Sequence, residues 1–113
     1  MITILIVEDD AAIRLLTKTK LAGKYRILEA DNGENGLDVL DHHHVDLIIA
    51  DIMMPKMNGY DFVTILRESG MMTPVIMLTA MSSFAHKKKG YSSGIDDYMT
   101  KPINYEELEW HIE

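Results

Sequence analysis

The stretch "LIIADIMMPKMNGYDF", Leu47 to Phe62, decides the fold. Four apolar residues, Leu47 to Ala50, end abruptly in the carboxylate of Asp51, and a loop with three methionines and a proline leads on to Asn58-Gly59. A short apolar run closed by turn residues is the pattern of a strand buried on both faces. Such strands belong to parallel sheets, whose two faces are covered by helices. What Asp51 does there depends on which other residues reach the same edge of the sheet.

Working outward, further β runs lie at Thr3–Val7, Tyr25–Ala30, Pro74–Thr79 and Asp97–Thr100. Helical spacing falls between them: Ala12, Ile13 and Leu16, then Phe62, Ile65 and Leu66, then Tyr105, Leu108 and Ile112. Helices are also expected over Gly33–Asp41 and Phe84–Ser92. Five strand-helix cycles predict an α/β fold with a parallel sheet covered on both faces, because each parallel crossover needs a helix to return the chain. The pairs Asn32-Gly33 and Asn58-Gly59 could turn hairpins, but they precede helices and read as turns or N-caps.

At 113 residues the chain suits one domain, 1–113. Eleven basic against eighteen acidic residues give a net charge of -7, which argues against gripping nucleic-acid phosphates or an anionic membrane. The absence of cysteine excludes disulfides and thiolate metal sites. No apolar run approaches about 18 residues and "MITILIVEDD" turns acidic too soon for a signal peptide, so a cytoplasmic protein is expected. The apolar stripe runs through Ile112 without a glycine cap, which leads us to expect a truncated last helix and a segment beyond it.

In an open parallel sheet, ligands bind beyond the carboxyl ends of the strands. Glu8 and Asp9 leave the first strand there, Asp51 the third, Thr79 the fourth, and Lys101 with Pro102 the fifth. Three carboxylates so gathered would take up protons unless a cation were present. They suit a hard, oxygen-preferring ion such as Mg2+. With Glu8 and Asp9 on the ion, Asp51 is left as a nucleophile toward a phosphoryl group. Phosphoryl transfer needs mainly positioning and charge neutralisation, which the ion, the Lys101 ammonium and the Thr79 hydroxyl supply. Singly these residues have plainer readings, the acids as a helix cap above all. Jointly they form a site.

The segments "ILIVEDD", "ADIMMPKMNG", "VIMLTA" and "DDYMTKP", in this order and spacing, resemble the receiver domain of two-component response regulators over essentially the whole chain. The resemblance implies a doubly wound (βα)5, flavodoxin-like, CheY-like three-layer sandwich with strand order 2-1-3-4-5. It implies that Asp51 is phosphorylated by the phosphohistidine of a histidine kinase with Mg2+, or Mn2+ in its place, and that the domain is not a conventional enzyme. By position, Glu8, Asp9, Asp51 and the Met53 carbonyl match the metal ligands, and Thr79 and Lys101 the phosphoryl contacts. Ala80 matches the small residue that allows phosphoryl access, Tyr98 the aromatic that turns inward, and Lys101-Pro102 a cis bond. Asn58 replaces a more usual Asp at a helix start, outside the chemistry.

Receivers joined to winged-helix DNA-binding domains, the OmpR/PhoB type, dimerise on phosphorylation through the helix here expected over 84–92, the last strand and the last helix. Lys87, Asp96, Asp97, Glu107 and His111 fall on that face. His111 stands where an arginine usually faces the acid matching Asp97, so a weaker or more pH-sensitive dimer is expected. Trp110 lies opposite Tyr105, Leu108 and Ile112 on the helix and points outward. The resemblance implies that the positions held by Met53 and Met81 influence attack of water on the acyl phosphate, and neither thioether orients water well. Slow autodephosphorylation follows. His42-His43-His44 and Lys87-Lys88-Lys89 read first as solvated surface.

The output expected is transcription through a DNA-binding domain absent from the chain, with a stand-alone receiver acting by protein contact as the alternative. An aspartyl-phosphate phosphatase of the haloacid dehalogenase type needs a second acid where Met53 stands. A flavodoxin needs a phosphate loop where the acids Glu8 to Asp10 stand.

Overall fold

The structure is a computed structural model that describes residues 1–79, 95–101 and 103–112. The helix expected over Phe84–Ser92, Ala80, Met81, Lys87 and the Lys101-Pro102 bond therefore lie wholly or partly outside the described residues. Five strands, β1 (Thr3–Val7), β2 (Arg26–Ala30), β3 (Leu47–Asp51), β4 (Val75–Thr79) and β5 (Asp97–Thr100), pair in parallel in the order β2-β1-β3-β4-β5. This is the expected doubly wound sheet. The described helices are α1 (Ala11–Leu21), α2 (Gly33–His42), α3 (Gly59–Glu68) and α4 (Tyr105–Ile112).

Side chains alternate along each strand between two cores, as a pleat of period two requires. Leu5, Val7, Ile48, Ala50, Val75 and Met77 pack on one face with Leu40 of α2 and Phe62, Val63 and Leu66 of α3. Ile4, Ile6, Leu47, Ile49, Ile76, Leu78 and Met99 pack on the other with Leu21 of α1 and Leu108 of α4. The three central strands are buried at every position, which is why they read as unbroken apolar runs. β1 lies between β2 and β3, so the direction of winding reverses at the β1–β3 pair. Glu8 and Asp51 stand at that reversal.

The helix starts are fixed by side-chain caps. Asp10 accepts from the Ala12 and Ile13 amides at 2.9 and 3.2 Å, Asn32 from Asn35 at 2.8 Å, and Asn58 from Asp61 at 2.9 Å. Both Asn-Gly pairs thus open helices, as expected. Two predicted helix faces need correction. On α1, Leu16 is 48% exposed, and Thr17 and Leu21 are the buried residues. Thr17 is accommodated because its hydroxyl donates to the Ile13 carbonyl at 2.8 Å and meets the Tyr105 hydroxyl at 3.2 Å. On α3, Ile65 is exposed and the inward face is Phe62, Val63 and Leu66. Strand limits differ by one residue: Tyr25 and Pro74 lie outside β2 and β4, and Asp51 lies within β3.

Between β3 and α3, Lys56 has φ 68°, the left-handed region that costs a residue with a Cβ. Lys56→Gly is expected to raise stability by about 0.5–1 kcal/mol, the relief exceeding the entropy that glycine adds to the unfolded chain. Chemical denaturation of the two proteins checks this. An unchanged or lower stability would contradict it.

Candidate functional site

The three consecutive acids after β1 divide into two jobs. Asp10 is the cap of α1, whereas Glu8 and Asp9 stay at the sheet edge. The Glu8 amide donates to the Ala30 carbonyl at 3.0 Å, and its own carbonyl accepts from Arg14 Nη1 at 2.7 Å. Its side chain is thereby aimed along the carboxyl edge, where Glu8 is 1% exposed and Asp51 5%. One carboxylate oxygen each from Glu8, Asp9 and Asp51 lie within 4.8 Å of one another. Among the described residues this is the only group of three or more histidine or acidic side chains that converges so.

Lys101 joins the cluster from beyond β5. Its amide donates to the Thr79 carbonyl at 2.7 Å, and its ammonium donates to Glu8 Oε1 at 2.9 Å and Asp51 Oδ2 at 3.0 Å. Burial, and then the neighbouring Asp51, push the Glu8 carboxyl from 4.5 up to about 7, against the opposing pull of Lys101. Burial works to depress the Lys101 ammonium, but its bonds to Glu8 and Asp51 outweigh that and hold its pKa above the usual value. The remaining oxygens of the pair are loosely held: Glu8 Oε2 accepts from the Asp10 amide at 3.4 Å and Asp51 Oδ1 from Met53 at 3.3 Å. Three hard oxygen donors with spare lone pairs, one of them solvent-facing, fit a divalent cation.

Gly59 fixes the other side of Asp51. A Cβ there would lie 2.7 Å from the Asp51 carbonyl oxygen and 2.7 Å from Met77 Sδ, while the Gly59 amide donates to Ile52 at 2.9 Å. Only a residue without a side chain lets α3 start so close to Asp51. Thr79 is fully buried at the end of β4, and Met53 is 58% exposed beside Asp51. Tyr98 is half-buried, and its hydroxyl meets that of Tyr60 at 2.5 Å. Sequence reasoning gave Arg14 and Tyr60 no role and read Gly59 only as part of a turn or N-cap pair.

Of the residues expected on a dimer face, Asp96 accepts from Arg67 Nη2 at 3.0 Å and from the Val75 amide at 2.9 Å. Asp97 is bonded to His111 Nδ1 of the same chain, and His111 Nε2 lies 3.6 Å from Glu107. Trp110 is 72% exposed, with its ring edge-on to His111. In the histidine run, His42 turns to Asp38 and His44 to Asp46, so the rings do not converge.

The model of the response regulator receiver domain matches residues 4–113, and the chain belongs to that family. It is 39% identical over 113 residues to the transcriptional regulatory protein CiaR of Streptococcus pneumoniae, covering 100% of this chain and 50% of CiaR. It is 39% identical to a segment of histidine kinase P4 of Formosa agariphila, covering 97% of this chain and 8% of the kinase. The chemotaxis response regulator CheY4 of Vibrio cholerae superposes with a TM-score of 0.94 at 31% identity, covering 99% of this chain and 96% of that one. The chain spans about half the length of the transcriptional regulators it matches, 45–50% of each of the first three regulators, CiaR included. Receiver domains take phosphoryl groups from histidine kinases and hold a metal ion through an acidic cluster, here Glu8, Asp9 and Asp51. No described helix is long and apolar enough to cross a membrane.

A carboxyl whose folded pKa lies above its unfolded value stabilises the fold fully below the unfolded value and loses that contribution as pH climbs through the folded one. For Glu8 the window runs from 4.5 to about 7. In chelator, Glu8→Gln should therefore gain on the native protein by about 1–3 kcal/mol between pH 4.5 and 8. Urea unfolding at both pH values measures it. A difference that does not change with pH contradicts the burial account.

Proposed function

We propose that this domain is a phosphorylation-driven switch in which Asp51 accepts a phosphoryl group from a sensor histidine kinase. A carboxylate oxygen of Asp51 attacks phosphorus, the P–N bond of the phosphohistidine breaks as the P–O bond forms, and the electron pair leaves on the imidazole nitrogen. Glu8, Asp9, Asp51 and the Met53 carbonyl would hold Mg2+, which when bound would supply positive charge for the phosphoryl oxygens. Lys101 moves its ammonium from the paired carboxylates to the phosphoryl oxygens, Thr79 donates its hydroxyl, and Ala80 leaves room for the group. Tyr98 then reports the change toward the surface. The domain serves itself with one transfer and turns over no external substrate.

The observation that carries this reading is the Lys101 ammonium held between Glu8 and Asp51 at 2.9 and 3.0 Å, with Asp9 in reach. A cation already stands where new negative charge would arrive. Incubation with acetyl phosphate and Mg2+ should add one phosphoryl group by intact mass to the native protein and none to Asp51→Asn. Equal labelling of both would sink the assignment. The exposed thioether of Met53 cannot orient a water for hydrolysis, so the phosphoryl group should decay slowly and Met53→Asn should speed its loss several-fold. A mass time course reads this, and an unchanged rate contradicts it.

For output we propose transcription, in the cytoplasm, through an OmpR/PhoB-type DNA-binding domain outside this chain. The similarity to transcriptional regulators twice its length supports that reading. A homodimer through Lys87, Asp96, Asp97, Glu107 and His111 would accompany it, with no nucleic acid or membrane bound by the receiver itself. His111 already engages Asp97 within one chain and offers no bidentate fork, so this dimer should be weak. In sedimentation with beryllofluoride and Mg2+, His111→Arg should dimerise more tightly than the native domain. Equal association would refute the role given to His111. A stand-alone receiver acting by protein contact is the second reading, favoured by the end-to-end match with CheY4.

A further inference from the structure

Tyr60 lies in the first turn of α3 and is 5% exposed, and its ring belongs to the core against which Tyr98 packs. The two hydroxyls meet at 2.5 Å, the short end of the range for O–H···O bonds. Each end of this bond is fastened to the site. Tyr60 directly follows Gly59, which abuts the Asp51 carbonyl and is bonded to Ile52. Tyr98 pairs with Met77 in the β4–β5 ladder, in which Thr79 pairs with Thr100, and Lys101 follows at once. One hydrogen bond therefore ties the helix that starts against the acceptor to the strand that carries the lysine.

We propose that Tyr60 is a positioning residue that latches the Tyr98 ring inward before any phosphoryl group arrives. The proposal rests on the reading of Asp51 as the acceptor and Tyr98 as the aromatic that responds to it. Swinging Tyr98 outward forfeits the bond to Tyr60, so the latch presets part of the change that phosphorylation completes. A neutral hydrogen bond of ordinary net strength shifts the inward-to-outward ratio by about 2- to 10-fold. Because coupling is reciprocal, the latch strengthens binding of a phosphoryl analogue by no more than that factor.

The test uses the full chain with ring-13C tyrosine and NMR. The chain has five tyrosines, and Tyr98→Phe assigns the signal of interest. In metal-free Tyr60→Phe, the Tyr98 ring resonance should move from its native position toward that of an exposed tyrosine. Beryllofluoride with Mg2+ should bring native protein and variant to a common position, with affinity in the variant weaker by about 2- to 10-fold. The Tyr60→Phe/Tyr98→Phe double variant should lose less stability than the sum of the two single variants. A Tyr98 signal in metal-free Tyr60→Phe that coincides with native, or strictly additive losses, overturns the latch. A native protein whose spectrum ignores beryllofluoride and Mg2+ overturns the acceptor reading and, with it, the switching role of the latch.

Discussion

The ammonium of Lys101 between the carboxylates of Glu8 and Asp51 is the contact on which the site depends. Two carboxylates 1% and 5% exposed at one point of a sheet repel each other and lose hydration at the same time. A single cation shared between them offsets both costs, which is why Lys101 holds its proton more tightly although burial opposes it. The offset is partial, as the raised Glu8 pKa records. That residual strain is useful chemistry, because a buried anion short of positive charge is a good place for a second cation.

The sheet order makes this contact possible. Glu8 leaves β1, Asp51 ends β3 and Lys101 leaves β5, three strands that parallel pairing carries to one edge. The winding reversal at β1–β3 leaves that edge uncovered by a crossover, so polar groups can gather beside a fully apolar core. Gly59 and the Asn58 cap then turn the chain within van der Waals range of the Asp51 carbonyl, closing the far side of that residue. Rigidity here comes from backbone contact.

The sequence displays this site because each functional group interrupts an apolar run. Asp51 after "LIIA" and Thr79 after "VIML" are conspicuous as polar residues at the ends of strands buried on both faces, whereas the strand order was legible only through the resemblance to receiver domains. Helix faces were less legible. Leu16 and Ile65 extend apolar stripes yet are exposed, while Thr17 is buried because helix geometry lets its hydroxyl reach the Ile13 carbonyl. Partner choice was least legible of all. Asp96 and Asp97 read as free acids for a second copy, but Arg67 and His111 of the same chain engage them, and only tertiary structure brings residues 29 and 14 positions away into contact. Tyr60 was invisible for the same reason: an aromatic opening an amphipathic helix reads as core until its hydroxyl is seen to meet another.

β5 concentrates these constraints in four residues. Asp97 bonds His111 on α4, Tyr98 bonds Tyr60 on α3, Met99 enters the core beneath α1 and α4, and the chain passes directly into Lys101. Alternation along a strand sends these side chains to opposite faces, yet one backbone ladder, Ile76–Asp97 to Thr79–Thr100, holds them in register with β4. A change in the partners of Lys101 therefore has a short mechanical route to both helical layers. It needs no long chain of side chains between site and surface, because the strand that feels the charge is also the strand that contacts the surface helix.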